Sequence, residues 1–207
     1  MTESGLPRTQ EQRRIDAERR LVHAAAELVG EVGPTGVTLA NVGQRAGYSR
    51  GLATHHFGSK GALMQRLVEV VTSQFRDAIS QQSQSDSPMD QLRQLVDFYF
   101  RVVADLQPVN RARLVLWADA VAGPSEDVRP QMVSADREFR EEIEKRIQSA
   151  VTAGDVPDDV DPVGLATVIV AMLRGVALQH LLDEKVDLVA ARGEVEQLLA
   201  SRLGMRP

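Results

Sequence analysis

A stretch of the chain without a single carboxylate carries the side chains best suited to bind a polyanion. Residues 32–68 contain no Asp or Glu, although the 207-residue chain has a formal net charge of −5. The basic side chains in this stretch are Arg45, Arg50, His55, His56, Lys60 and Arg66. A short cationic segment on an acidic protein marks a surface for a negatively charged partner. The expected chemistry is the binding of double-stranded DNA through its phosphates and base edges.

The charge of the rest of the chain agrees with this expectation but does not establish it. Residues 1–60 carry eight Lys/Arg and six Asp/Glu, a balance of +2, whereas residues 61–207 carry sixteen and twenty-three, a balance of −7. Charged helical proteins vary this much between segments by chance, so the prediction must rest on pattern. The N-terminal segment contains four arginines, Arg13, Arg14, Arg19 and Arg20. They could form ion pairs along a helix face, or they could make extra phosphate contacts.

Composition excludes several classes of protein. The chain has no cysteine, which rules out disulfides and thiolate metal sites and agrees with a reducing compartment. The first twenty residues are polar and charged, unlike a secretory signal. The most apolar run, residues 164–173, is followed by Arg174 and is shorter than the roughly 20 apolar residues that a bilayer requires. We therefore expect a cytoplasmic protein without a membrane partner.

The elements that must position the basic residues are predicted to be helices. Aromatic residues make up 4% of the chain, and no sustained two-residue alternation indicates strands. Apolar residues recur instead at helical spacing, which predicts an all-α fold of about nine helices. Their expected ranges are 9–32, 39–46, 50–56, 59–82, 88–106, 108–122, 126–153, 161–182 and 187–202, with Gly123-Pro124-Ser125 closing the sixth helix and Glu126 beginning the seventh.

Two of the short helices have the features of a helix-turn-helix. Thr38 is a suitable N-cap for the helix over 39–46, and Ser49 can cap the helix over 50–56. Gly47 lies between them, where a tight turn can use a positive φ. A second helix held in this way has an exposed face that fits the major groove. We expect residues 1–60 to form a DNA-binding domain and residues 61–207 a ligand-binding and dimerisation domain.

Three strings of residues in this region closely resemble the N-terminal signature of TetR-family transcriptional regulators. They are Thr38-Leu39-Ala40-Asn41-Val42, Ala46-Gly47-Tyr48-Ser49-Arg50-Gly51 and His55-His56-Phe57-Gly58-Ser59-Lys60-Gly61-Ala62-Leu63. The resemblance is specific over about residues 15–65. It implies an all-helical homodimer, usually a repressor that a small molecule releases from its operator.

The resemblance also implies roles for individual residues. Thr38 and Lys60 match phosphate-contacting positions, and His56 matches a histidine that usually contacts the backbone. Positions that face base edges or sugars are matched by Arg50, Gly51, Thr54 and His55, and the predicted interface is completed by Arg45, Tyr48 and Ser49. Arg50 can donate two hydrogen bonds to one guanine. The chain departs from the family at Leu52-Ala53-Thr54-His55, where many members have Thr-Leu-Tyr-Tyr.

The C-terminal part is larger than DNA binding requires, and apolar helices surrounding a few polar residues favour a small-molecule cavity. The candidate ligand-binding residues are Phe98, Arg113, Trp117, Phe139 and Arg174. Arg174 interrupts an apolar helix, so it needs either a carboxylate partner or an anionic ligand. No cofactor or metal is expected, because phosphate-loop and nucleophile motifs are missing and adjacent His55 and His56 diverge on a helix. The alternatives are an architectural DNA-binding protein without ligand control and a helical enzyme.

The last two predicted helices, within residues 161–202, have the composition of a homodimer interface. The small residues Gly164, Ala171 and Gly175 would let a second helix approach closely. Their expected apolar neighbours are Val163, Val170, Leu173 and Ala177, with Val189, Leu198 and Leu199 on the final helix. Two helices from each subunit would form a four-helix bundle around a two-fold axis.

Overall fold

A computed structural model describes residues 9–82, 85, 87–123 and 128–204 of the chain. Across these residues it contains nine helices and no strand, which confirms the all-α prediction. The helices are α1 (Gln10–Gly36), α2 (Leu39–Arg45), α3 (Leu52–Phe57), α4 (Lys60–Gln82), α5 (Pro88–Ala104), α6 (Pro108–Ala122), α7 (Arg129–Ala153), α8 (Pro162–Leu182) and α9 (Leu188–Arg202).

Most helices begin where a local side chain can satisfy the first backbone N–H groups. Thr38 forms a capping box with Asn41 at the start of α2, and Ser59 accepts a hydrogen bond from the backbone of Ala62 at the start of α4. Asp161 caps α8 ahead of Pro162. These caps confirm the starts that sequence predicted, because each depends on residues no more than three positions apart.

Two predicted boundaries differ from the structure, and a third lies partly outside the described residues. At residues 32–33 the sequence predicts a break, and Gly33 has a non-helical backbone (φ 71°, ψ 168°), but the helical turns resume as far as Gly36. Ser49 does not cap α3, which begins at Leu52 with Gly51 as an N-cap that has no side-chain hydrogen bond. The backbone carbonyl of Ser49 instead accepts from the N–H of Leu52, so a turn precedes the helix. The predicted break at 123–125 and start at Glu126 lie partly outside the described residues.

The buried apolar residues form two clusters, and α6 contributes to both. One cluster joins α1, α2, α3 and the first half of α4 to Ala112 and Leu116 of α6. The other joins α5, α7, α8 and α9 to Leu114. Alternate residues of α6 therefore face opposite clusters, and this helix connects the N-terminal helices to the rest of the chain. The division into residues 1–60 and 61–207 stays a prediction, since the packing does not divide at residue 60.

Helix α8 has the predicted extent, but its apolar part is longer than the run that sequence analysis considered. Its 21 residues include an 18-residue window with a mean hydropathy of 1.7, so by length and composition alone it could cross a membrane. The expectation that the apolar run is too short was wrong, because the run continues beyond Arg174. A third of that window is buried inside the protein, and Arg174 itself is 8% exposed and paired with a carboxylate. Core helices of soluble proteins meet the same criterion, and a buried arginine is unfavourable in lipid.

The remaining apolar surface of α8 and α9 is exposed. It consists of Val163, Val168, Leu182, Val189 and Leu198. Four residues predicted to lie at a subunit interface are instead buried inside the chain, namely Val170, Leu173, Ala177 and Leu199. That part of the prediction was wrong because helical spacing identifies an apolar stripe but not which neighbour covers it.

Candidate DNA interface and ligand cavity

The helix-turn-helix depends on a glycine that sequence analysis did not single out. Gly43 lies inside α2 and is buried, and a Cβ atom added there would be 2.7 Å from the backbone oxygen of Ser49. The carbonyl of Gly43 accepts a 2.9 Å hydrogen bond from the N–H of Tyr48. Gly47 supplies the predicted positive φ, 78°. Helix α2 and the turn before α3 therefore approach more closely than any side chain at residue 43 would allow.

Most of the predicted DNA-binding residues lie exposed along α2, the turn and α3. Tyr48 and His56 are the half-buried members; the exposed ones are Thr38, Arg45, Ser49, Arg50, Gly51, Thr54, His55 and Lys60. Arg50 is in the turn just before α3 and makes no ion pair with any residue that the structure describes. Its guanidinium is therefore available to an external acceptor, which suits the predicted base contact.

Two of the cations predicted to lie in the DNA interface, Arg45 and Lys60, already make hydrogen bonds within the chain. Arg45 donates two hydrogen bonds to Glu31, at 2.8 and 2.7 Å, and one to Glu27 at 3.3 Å. The Glu31 hydrogen bond is the main cause that raises the pKa of Arg45. Lys60 Nζ donates to the carbonyl of Thr35 at 2.9 Å. These bonds attach α2 and α4 to the C-terminal end of α1, so both cations have a structural role beside the predicted one.

Glu18 of α1 connects α3 to the helices that support it, α1 and α4. One carboxylate oxygen accepts from Arg66 Nε of α4 at 2.6 Å, and the other lies 3.2 Å from His56 Nε2 at the end of α3. Because a carboxylate only accepts, Nε2 of His56 carries the proton. Burial opposes ionisation of Glu18, but the hydrogen bonds from Arg66 and His56 prevail and lower its pKa. The imidazole is thus directed to α1 and fixes how α3 is held.

The first turns of α1 contain ion pairs between residues three apart. Arg14 pairs with Glu11 at 3.1 Å and Arg19 with Asp16 at 3.6 Å. For Arg14 and Arg19, these pairs agree with the interpretation that the N-terminal arginines form ion pairs along a helix face. Glu11, Arg14 and Arg19 are exposed and Asp16 is half-buried. Ion pairs as open to solvent as these add little stability.

A cavity of about 300 Å³ lies between α4, α6, α7 and α8. Four of the five predicted ligand-binding residues line it, namely Arg113, Trp117, Phe139 and Arg174. Phe98 does not line the cavity; its ring centroid is 6.1 Å from that of Phe75, which does. The structure therefore brings together residues from three separate helices, α6, α7 and α8, that sequence analysis could only name one by one. Whether they bind a ligand stays a prediction.

Arg174 is both a cavity residue and part of an ion pair. Its guanidinium donates to Asp136 of α7, which also accepts from Arg140 one turn later. Arg174 Cζ lies 4.6 Å from the centroid of the Trp117 ring. Burial lowers the pKa of Arg174, and the carboxylate offsets the cost of enclosing its charge. Asp136 was missed by sequence analysis because it lies within a highly charged stretch of α7.

Arg113 occupies the same cavity without such a partner. The residue is 7% exposed, and its Cζ lies 3.7 Å from the Phe75 ring centroid and 5.7 Å from that of Tyr99. Its Nε and Nη2 atoms are enclosed and have no hydrogen-bond acceptor among the described residues. Burial lowers the pKa of Arg113, and the nearby Tyr99 hydroxyl opposes that change. The hydroxyl is itself buried and makes no hydrogen bond of normal geometry within the part of the chain that the structure describes, so it does not satisfy the guanidinium, which remains charged in a protein. The cavity therefore contains a cation with two nitrogen atoms that have no hydrogen-bond partner among the described residues.

The wall of the cavity that carries Arg113 also contacts the DNA-binding region. Arg111, two residues earlier on α6, donates from Nε to the carbonyl of Gly30 in α1 at 3.1 Å. Gly30 is just ahead of the bend at Gly33 and of the helix-turn-helix. This hydrogen bond joins the α6 wall of the cavity to the C-terminal part of α1.

A helix-turn-helix on a helical body that contains a cavity is the arrangement of DNA-binding transcriptional regulators. Comparison with known proteins identifies the family. Residues 21–67 match the model of bacterial regulatory proteins of the tetR family, and residues 88–204 match the C-terminal region of BetI-type transcriptional repressors. The chain belongs to the TetR family of transcriptional regulators.

Individual proteins support this assignment. The HTH-type transcriptional regulator BetI of Burkholderia mallei (strain NCTC 10229) is 30% identical over 195 residues, which cover 89% of this chain and 94% of BetI. A transcriptional regulator of Saccharomonospora viridis in complex with choline has the same fold, with a TM-score of 0.78 at 19% identity over 89% and 96% of the two chains. The complex of SmeT, a repressor from Stenotrophomonas maltophilia, with triclosan has a TM-score of 0.77 at 21% identity over 90% of each chain.

Proposed function

We propose that this chain is a homodimeric repressor that a small molecule releases from its operator. The observation that carries the proposal is the cavity of about 300 Å³, one wall of which is α6, the helix bonded to α1 through Arg111. An architectural DNA-binding protein would not require such a cavity. Relatives of the same fold bind choline and triclosan, which supports a small-molecule effector. Repression takes place where the chromosome lies, so the proposed location is the cytoplasm.

The proposed DNA-binding domain is residues 1–60, with the recognition helix preceded by Arg50. Arg50 reads a base, because its guanidinium is exposed and unpaired within the described chain. Thr54 and His55 follow on the exposed side of α3 and contact adjacent bases or sugars. Thr38 and Lys60 contact phosphates, helped by the N-terminal amides of the helices they begin. Residues 61–207 supply the effector site and the contact between subunits.

The proposed dimer forms through residues 161–202. A stripe of exposed apolar side chains on α8 and α9, including Val163, Val168 and Leu198, is the surface that a second copy would cover. A Cβ atom added at Gly175 would meet nothing within 4 Å in its own chain, which leaves room for a partner helix. Two subunits joined here would present recognition helices to successive major grooves, roughly 34–36 Å apart.

The proposed switch requires the effector to prefer one spacing of the recognition helices. DNA binding enforces the spacing that fits adjacent grooves, so an effector that favours another spacing loses affinity on the operator. Arg111 and Gly30 provide the link, because displacement of α6 by a bound molecule moves the end of α1. A typical coupling of ~1–3 kcal/mol lowers operator affinity about 5–150-fold.

Selection of the preferred site from random DNA, followed by effector titration, tests the proposal. We expect a site with two-fold symmetry, bound by a dimer and released by compounds that change Trp117 fluorescence, since Trp117 is the single tryptophan and lines the cavity. If compounds fill the cavity stoichiometrically and operator affinity stays unchanged, the chain is a constitutive DNA-binding protein. Catalytic turnover without retention of a promoter fragment would favour the enzyme alternative.

A further inference from the structure

The unsatisfied arginine in the cavity points to the chemical class of the effector. This inference rests on the proposed function, because it assumes that the cavity receives a small molecule. We propose that the cavity binds an anion with an apolar body, of the kind represented by a medium-chain carboxylate, and that Arg113 binds the anionic group.

The carboxylates around the cavity are largely committed to other cations. Three acids that line the cavity form ion pairs with arginines. Asp136 pairs with Arg174 and Arg140, Glu138 lies 3.1 Å from Arg76, and Glu142 lies 2.7 Å from Arg146. Glu141 also lines the cavity but is exposed. The cation enclosed in the apolar part of the cavity is therefore left without a carboxylate of its own.

The aromatic neighbours of Arg113 explain its position but not its hydrogen bonding. Its Cζ lies 3.7 Å from the Phe75 ring centroid, a favourable cation–π distance. A ring face accepts no conventional hydrogen bond, and Nε and Nη2 are enclosed without an acceptor among the described residues. Enclosed donors on a charged group are unfavourable until an acceptor arrives. A ligand carboxylate offers two oxygens that match the fork of a guanidinium.

The same geometry disfavours a cationic ligand. Aromatic rings could hold a quaternary ammonium group by cation–π attraction. In this cavity the Phe75 face is already covered by Arg113 and the Trp117 face by Arg174. A cation entering between them would be repelled by Arg113, whose charge no carboxylate of the described residues neutralises, in surroundings where charges are poorly screened. Apolar side chains such as Leu114 and Met132 complete the lining and suit the hydrocarbon part of an amphiphile.

Three probes with one eight-carbon chain and different head groups test the proposal on the full-length dimer. Octanoate, 1-octanol and octyltrimethylammonium are titrated while Trp117 fluorescence and heat are followed. We expect octanoate to bind at least about tenfold more tightly than octanol, the margin expected of a charge-assisted hydrogen bond, and the ammonium to bind most weakly. Failure of octanoate to bind, or equal or tighter binding of either other probe, would overturn the proposal.

Arg113→Met is the diagnostic variant, and Lys145→Met is its matched control. Lys145 also lines the cavity but is exposed. We expect Arg113→Met to lower octanoate affinity to that of octanol and leave octanol binding unchanged, whereas Lys145→Met keeps the preference. Without ligand, Arg113→Met should melt at a higher temperature than wild type, since it removes an enclosed charge without hydrogen-bond partners. A lower melting temperature with octanoate affinity retained would instead make Arg113 a structural residue and overturn the inference.

Operator release is measured separately and distinguishes this inference from the function on which it rests. If octanoate binds through Arg113 but does not release DNA, the anion site stands and the proposed switch fails. If the ammonium probe binds as tightly as octanoate or more tightly and releases DNA, the switch stands and the anion site fails.

Discussion

Replacement of Gly43 by alanine tests whether the close approach inside the helix-turn-helix positions the recognition helix. The new Cβ would lie 2.7 Å from the carbonyl oxygen of Ser49, so the backbone must shift. Because the obstacle is backbone rather than a flexible side chain, we take the upper part of the overpacking range, ~2–3 kcal/mol. Alanine recovers ~1 kcal/mol of helix propensity. The expected net loss of stability is about 1–2 kcal/mol, roughly 2–8 °C in melting temperature for a chain of this size.

The same shift should weaken DNA binding, because it moves the turn that carries Arg50. Loss of one good base contact corresponds to about tenfold or more in operator affinity, measured by fluorescence anisotropy with a labelled operator. Gly193→Ala is the matched control, since Gly193 lies inside α9 and an added Cβ meets nothing within 4 Å. That variant should be slightly more stable than wild type. A Gly43→Ala protein as stable as wild type, with normal operator affinity, would refute the reasoning.

Three further predictions concern DNA, assembly and pH. Arg50→Ala should weaken operator binding by ~1–3 kcal/mol and relax preference at one base pair, whereas Lys60→Ala should weaken binding equally on all sequences and reduce the salt dependence by about one charge. Gly175→Leu should yield monomers by light scattering, because the side chain enters the proposed interface while its own chain leaves the site open. Glu18→Gln should cost about 1–3 kcal/mol at neutral pH in chemical denaturation, since the half-buried carboxylate accepts from Arg66. The pKa of Glu18 is lowered on folding, so its contribution is present above the ordinary glutamate pKa and disappears as the pH falls through the lower folded value.

Each of these predictions has an outcome that would contradict it. A changed base preference in Lys60→Ala would show that the roles of the two cations were assigned wrongly. Gly175→Ala, whose added methyl group is small, should remain dimeric, and a dimeric Gly175→Leu protein would place the interface elsewhere. If the stability difference between wild type and Glu18→Gln did not shrink at acid pH, the ionised carboxylate would not be its source.

The sequence by itself determined the helices and the presence of the helix-turn-helix. Thr38, Ser59 and Asp161 cap their helices through contacts within three residues, and Gly47 takes the positive φ that its place in the turn required. Such features are visible in sequence because their partners are close along the chain. The same locality made the TetR-family resemblance specific over about residues 15–65, which the family comparison confirmed.

What only the tertiary structure decided is which groups meet across helices. Sequence named Arg113 and Arg174 as similar candidates, but in the folded chain Arg174 pairs with Asp136, whereas Nε and Nη2 of Arg113 have no hydrogen-bond partner among the described residues. It also joined Glu18 to His56 across 38 residues of chain. Helical periodicity shows which residues share a face and not which element covers that face. The three-dimensional arrangement of α4, α6, α7 and α8 sets the partners of each buried charge. Those partners in turn determine which ligand chemistry the cavity can accept.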